Sequence, residues 1–130
     1  MAYCVDPDRV FASGKSIGGG FVDTLACLDA GDAFAAFAMD SAARDIDMRL
    51  SSCSKKRAIL EAYSHDYSTI PYAPTKPGSA GPLPDIDDWI SWWAERNCAH
   101  HAHKRVNTWP VGYNIGSFAC RRWRDVVNLY

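Results

Sequence analysis

"FASGKSIGGGFV", residues 11–22, sets the reading of the whole chain, because it holds one serine, Ser16, inside a run of glycines. Upstream, "DPDRVFASG" reads as a polar turn followed by a short apolar strand, Arg9 to Ser13, which Gly14 stops. Downstream, Phe21, Leu25 and Leu28 recur at i, i+4 and i+7 with Asp23 and Asp29 turned away, one apolar stripe of a helix ending near Gly31. Ser16 is therefore expected at the junction of a strand and a helix. Two readings of it compete: a hydroxyl held out for chemistry, or a glycine turn whose serine caps the helix.

The rest of the chain continues the alternation. "AFAAFAM" (Ala33 to Met39) is a second strand candidate, although its alanines would also suit a helix, and "KKRAILEAY", ending at Tyr63, is a third. The proline-rich stretch from Pro71 to Pro84 reads as an irregular surface loop. It leads into a helix from about Ile86 to Asn97, capped by Asp85, with Ile86, Trp89, Ile90 and Trp93 sharing a face that should be buried against a sheet. This order predicts an α/β fold with parallel strands and flanking helices over residues 1–98. Residues 99–130 show no clean period until "DVVNLY" and are expected to be an irregular tail.

Composition sets aside several function classes. With 48% hydrophobic residues in 130, the chain has enough apolar side chains for one globular core. A net charge of −1 gives no basic surface for nucleic acid or an anionic membrane. No stretch approaches the roughly 20 apolar residues of a membrane span, and the N-terminus lacks the regions of a signal peptide. Five cysteines, Cys4, Cys27, Cys53, Cys98 and Cys120, point instead to an oxidising compartment with disulfides. Leaving one out and pairing the other four allows 15 arrangements, so the pairing stays open.

Gly14-Lys15-Ser16-Ile17-Gly18 fits G-x-S-x-G, the nucleophile elbow of α/β-hydrolases. The spacing has a mechanical cause: the residues two before and two after the serine must lack side chains for strand and helix to pass closely. In return the Ser16 hydroxyl stands clear of the backbone as a nucleophile, and the Ile17 N–H is placed to donate to the oxyanion formed on attack. A phosphate-cradling loop would want G-x-x-x-x-G-K-[ST], and Lys15 precedes Ser16 without the upstream glycine.

"CVDPDRVFASGKSIGGGFVDTLAC" resembles the elbow region of fungal feruloyl esterases, secreted α/β-hydrolases related to polyhydroxybutyrate depolymerases. The likeness extends through "AFAAFAM", "KKRAILEAY", "TIPY" and "GPLPDIDDWISWWAERN", to about Cys98. It implies a secreted, extracellular serine esterase that releases ferulate and related hydroxycinnamates from feruloylated arabinoxylan, with Ser16 as nucleophile and no metal or organic cofactor. An extracellular setting would also account for the cysteines. Because the elbow sets the reaction and not the acyl pocket, acetylxylan or a short polyhydroxyalkanoate remains an alternative substrate. A non-catalytic fragment is the alternative of another class.

The resemblance also locates what Ser16 needs. The family's catalytic acid follows the strand written here as "AILEAY", in a segment resembling H-G-x-x-D-x-x-I-P-Y. Anchored on Ile70-Pro71-Tyr72, that aspartate falls on Tyr67, so Asp66, one place early, is the candidate acid. His65 precedes Asp66 and is read as a loop histidine. The family's base lies in a motif resembling G-H-x-W-P; "VNTWP" offers only Asn107 in its place, and "RDVVNLY" resembles the strand before it. With few residues before the elbow, the chain is expected to be the C-terminal half of a catalytic domain, with little activity alone and a tendency to associate through open strand edges. Cys98, His100, His101 and His103 lie too close together to surround a zinc ion and are read as a solvated tail. Trp89, Trp92 and Trp93 could form a sugar platform, but their helical spacing reads as core.

Overall fold

The computed structural model describes residues 4–44, 52–63, 68–77 and 81–98, and the backbone of three strands at 104–106, 116–119 and 126–129. Its elements in chain order are β1 (Phe11–Lys15), α1 (Ile17–Cys27), β2 (Ala36–Asp40), β3 (Ile59–Ala62), α2 (Ile86–Cys98), β4 (Lys104–Val106), β5 (Gly116–Ala119) and β6 (Val126–Leu129). They form one sheet in the order β1-β2-β3-β6-β5-β4. Strands β1, β2, β3 and β6 run parallel, while β5 is antiparallel to β6 and β4 to β5. The chain is therefore an α/β protein. Within 99–130, three short strands extend the sheet, and "DVVNLY" supplies the one beside β3.

The parallel strands alternate between two faces. Ala12, Phe37, Met39, Ile59 and Glu61 point to a buried side. There they meet Val22 and Ala26 of α1 and Ile86, Trp89, Ile90 and Trp93 of α2 in one core. Trp89 and Trp93 are core side chains, as their spacing predicts, which excludes them from a sugar platform. The opposite side of the sheet carries Ser13, Lys15, Ala38, Asp40, Leu60 and Ala62 around an open concavity of 390 Å³. Parallel sheets are ordinarily covered on both faces, so this half-exposed side is unusual for its class. None of the described helices is long and apolar enough to cross a membrane.

Several expectations shift by a few residues for identifiable reasons. Gly14 does not stop β1, which runs on to Lys15 because Gly14 and Lys15 still pair with Met39 and Asp40. Helix α1 ends at Cys27 rather than near Gly31, and a 3-10 turn, Asp29–Ala33, follows. The stripe on α1 holds only at Leu25, which packs against the core; Phe21 and Leu28 are exposed, and the buried residues are Gly19, Val22 and Ala26. Small residues take that face because the helix passes so close to the backbone after β2 that Gly19 has no room for a side chain beyond Ala42. Asp23 is not turned away either; its Oδ1 accepts from the Trp89 indole at 3.2 Å.

Three fastenings hold the helices in place. Asp85 caps α2 as predicted, its Oδ1 accepting from the Asp87 N–H at 2.9 Å. At the other end Asn97, buried, exchanges two hydrogen bonds with the backbone of Arg57, at 3.0 and 2.7 Å. A disulfide joins Cys27 to Cys53 across a separation of 26 residues and ties the end of α1 to the segment before β3. Among the described residues Cys4 is the free thiol.

Candidate active site

β1 delivers the chain to Ser16 and α1 begins at Ile17, so the turn between them is a single residue. Ser16 has φ 53° and ψ −121°. A serine that caps a helix has extended backbone and bonds an N–H of the first turn with its hydroxyl. Ser16 does neither: its φ is positive and its side chain makes no cap hydrogen bond. A non-glycine residue in this region stores strain that its surroundings must hold, a pattern concentrated at functional sites. The capping reading fails on geometry: the backbone is strained where a cap would be extended, and no cap bond forms.

Three backbone bonds hold the turn. The Ser16 N–H donates to the Asp40 carbonyl at 2.9 Å, and the Ser16 carbonyl accepts from the N–H groups of Gly20 at 3.0 Å and Ala43 at 2.9 Å. A Cβ on Gly14 would lie 2.3 Å from the Gly18 carbonyl oxygen, so strand and helix do pass too closely for a side chain there. Gly18 itself has open space, correcting the expectation that both flanking glycines are sterically required. The tighter position is Gly20, where a Cβ would lie 1.8 Å from the Ala43 carbonyl oxygen. Ile17 opens the first turn, whose N–H groups have no acceptor within the helix, and its side chain is exposed.

The loop after β2 mirrors the elbow. Asp40 ends β2 opposite Lys15, the two forming an exposed ion pair at 3.3 Å, and the next residue, Ser41, has φ 47°. Two adjacent parallel strands thus each end in a serine of positive φ. Ser41 is held by its N–H, which donates to the Ala62 carbonyl at 2.9 Å, and by its hydroxyl, which donates to Asp40 Oδ1 at 2.9 Å.

Beneath this loop lies a charged cluster that sequence reasoning missed. Arg44 is buried, stacks 3.8 Å from the Trp89 ring, bonds the carboxylate of Glu61 through Nη2 and stands 3.8 Å from Asp23 Oδ2 through Nε. Glu61 is fully buried on β3, and its other oxygen accepts from the Ala42 N–H at 3.4 Å. Burial pushes the Glu61 carboxyl up to about 7, the Arg44 charge pulling it back only in part. Burial likewise raises Asp23, against the pull of Arg44 and the Trp89 indole. The signal was in "AILEAY": Glu61 has the same parity as Ile59 and Tyr63, which face the core, whereas a solvated glutamate would share the parity of Leu60.

Asp66, with His65 and Tyr67, lies outside the described residues, as do His100, His101, His103 and Asn107. β3 ends at the same end of the parallel sheet at which Ser16 follows β1. The Ile70 carbonyl accepts from the Tyr63 hydroxyl at 2.6 Å. "IPY" then anchors to α2, with the Tyr72 hydroxyl donating to Asp87 Oδ1 at 2.9 Å and the Tyr72 carbonyl accepting from the Ile86 N–H at 3.2 Å. Compared with known proteins, the chain matches no family model, and no curated protein matches it in sequence.

Proposed function

We propose that the chain derives from a secreted serine carboxylic ester hydrolase of α/β-hydrolase fold resembling feruloyl esterases, with Ser16 as nucleophile. The observation that carries this reading is the backbone of Ser16: positive φ, no cap bond, one residue between a parallel strand and a helix. Ser16 Oγ would attack the ester carbonyl carbon and give its proton to a base, while the oxyanion accepts from the Ile17 N–H. Collapse expels the sugar hydroxyl with that proton, and water then cleaves the acyl-serine to release the hydroxycinnamate and restore Ser16. None of the four histidines falls among the described residues, and the candidate acid Asp66 does not either. The disulfide Cys27–Cys53 supports an oxidising, extracellular setting.

The half-exposed sheet face and the open edge at β1 support the half-domain reading, in which this chain alone has little activity. They also favour the second reading, a non-catalytic fragment. Methyl ferulate separates the two: the isolated chain is expected to turn it over barely above background, and a full-length relative rapidly. Clear turnover by the isolated chain, abolished in Ser16→Ala, would overturn the claim of inactivity. Among feruloyl, acetyl and hydroxybutyryl esters, a full-length relative is expected to prefer feruloyl; preference for either of the others transfers the reading to that ester.

A further inference from the structure

The Arg44–Glu61 pair sits where the elbow and its neighbouring loop meet; its bonds to backbone go to that loop, while Arg44 also meets Trp89, Asp23 and Met39 Sδ. Glu61 presents two acceptors, one to the Ala42 N–H at 3.4 Å and one to Arg44 Nη2, and Arg44 Nη1 donates to the Ala42 carbonyl at 3.5 Å. Both backbone groups of Ala42 are therefore held by the pair. The next residue, Ala43, donates its N–H to the Ser16 carbonyl at 2.9 Å and presses its own carbonyl against Gly20. The loop contains Ser41, the chain's other non-glycine residue of positive φ among those described, so it needs an anchor of its own.

We infer that Arg44 and Glu61 are positioning residues for Ser16: they fix the 41–44 loop, and that loop fixes the carbonyl of the strained serine. This accounts for a feature that packing alone does not. A buried ion pair is seldom better for stability than apolar side chains of the same volume, so what this pair adds is geometry rather than strength. It also explains why the pair is asymmetric in its partners. Arg44 is additionally positioned by the Trp89 ring and by Asp23, both on the helices, whereas Glu61 spends its second oxygen on the loop. The catalytic consequence rests on the reading of Ser16 as a nucleophile; the mechanical one does not.

Glu61→Gln keeps the shape but supplies one acceptor where two are used, and turns an amide donor toward a donor. Arg44→Lys keeps the charge but loses the planar fork that holds Glu61 and the Ala42 carbonyl together. Both variants are to be studied by amide hydrogen exchange in the full chain, with fluorophosphonate labelling of Ser16 alongside. Protection at Ala43 and Gly20 is expected to fall at least about tenfold in each, while amides in the middle of α2 stay within about twofold of the wild type. Where Ser16 labels in the wild type, its labelling is expected to slow by about tenfold or more. Unchanged protection at Ala43 and Gly20 overturns the inference, as does an equal loss throughout α2 or failure of both variants to fold, since the pair would then support the whole domain. A wild-type serine that never labels counts against the esterase reading and leaves the exchange result to decide this one.

Discussion

Replacing Gly20 with alanine is expected to destabilise the chain by about 3 kcal/mol or more, while the same change two residues earlier, at Gly18, stabilises it slightly. At Gly20 the new methyl would lie 1.8 Å from the Ala43 carbonyl oxygen and 2.9 Å from its carbon, and backbone cannot swing aside as a flexible side chain would. Either the first turn of α1 or the 41–44 loop must move, and both are bonded to the Ser16 carbonyl. Overpacking of a close backbone contact commonly costs about 1–3 kcal/mol, and loss of the Gly20 and Ala43 bonds to Ser16 would add to it. At Gly18 a Cβ meets nothing within 4 Å, so only the helix preference remains, and alanine gains roughly 0.5–1 kcal/mol over glycine there. Urea denaturation of the two variants beside the wild type measures the difference. Equal midpoints for Gly20→Ala and wild type would show that the elbow and the loop do not press on each other.

The pairing of these two glycines shows what sequence reading can and cannot see. The pattern G-x-S-x-G marks Gly18 as critical and says nothing of Gly20, yet the contact that counts comes from Ala43, more than twenty residues away and invisible to local spacing. The strand-turn-helix order around Ser16 was legible because each element has its own signal: an apolar run, glycines, then a periodic segment. α2 was legible for the same reason, down to the Asp85 cap and the buried face of Ile86, Trp89, Ile90 and Trp93. The face of α1 was misread except at Leu25, because periodicity weighs large side chains, whereas the elbow draws the helix so near the sheet that Gly19, Val22 and Ala26 are what fits. Phe21 and Leu28 are left exposed. Asp23, Arg44 and Glu61 escaped for a different reason: each is ordinary in its own segment, and only the fold brings α1, the loop after β2 and β3 to one point.

That cluster carries the second large effect: the folded chain is expected to become less stable as pH rises from 5 to 8, the reverse of the common loss of stability in acid. The Glu61 carboxyl titrates at about 7 in the folded chain against an ordinary value of 4.5. Between those values the folded chain keeps a proton that the unfolded chain has released. Stability from this group is therefore fully present below about pH 4.5 and is lost as pH rises through 7. Burial raises Asp23 as well, so it contributes with the same sign, while Asp32, lowered by Arg57 and Lys55, loses its contribution only in acid below this window. The loss attributable to Glu61 is on the order of 3 kcal/mol, or roughly 10 °C in melting temperature for a domain of this size. Glu61→Gln, which cannot ionise, should flatten the profile and leave the variant at least as stable as the wild type at pH 8. Calorimetric melting temperatures at half-unit steps from pH 5 to 8 decide it, and a wild-type value that is flat or rising across the window would rule the account out. The direction follows from burial: Glu61 is shut away from water, and Arg44 offsets that cost only in part, with Asp23 adding a smaller push the same way. Arg44 faces two carboxylates, Asp23 and Glu61, with Arg96 acting on Asp23 from the end of α2. A proton on Glu61 removes a charge that burial penalises and leaves Arg44 facing the Asp23 carboxylate.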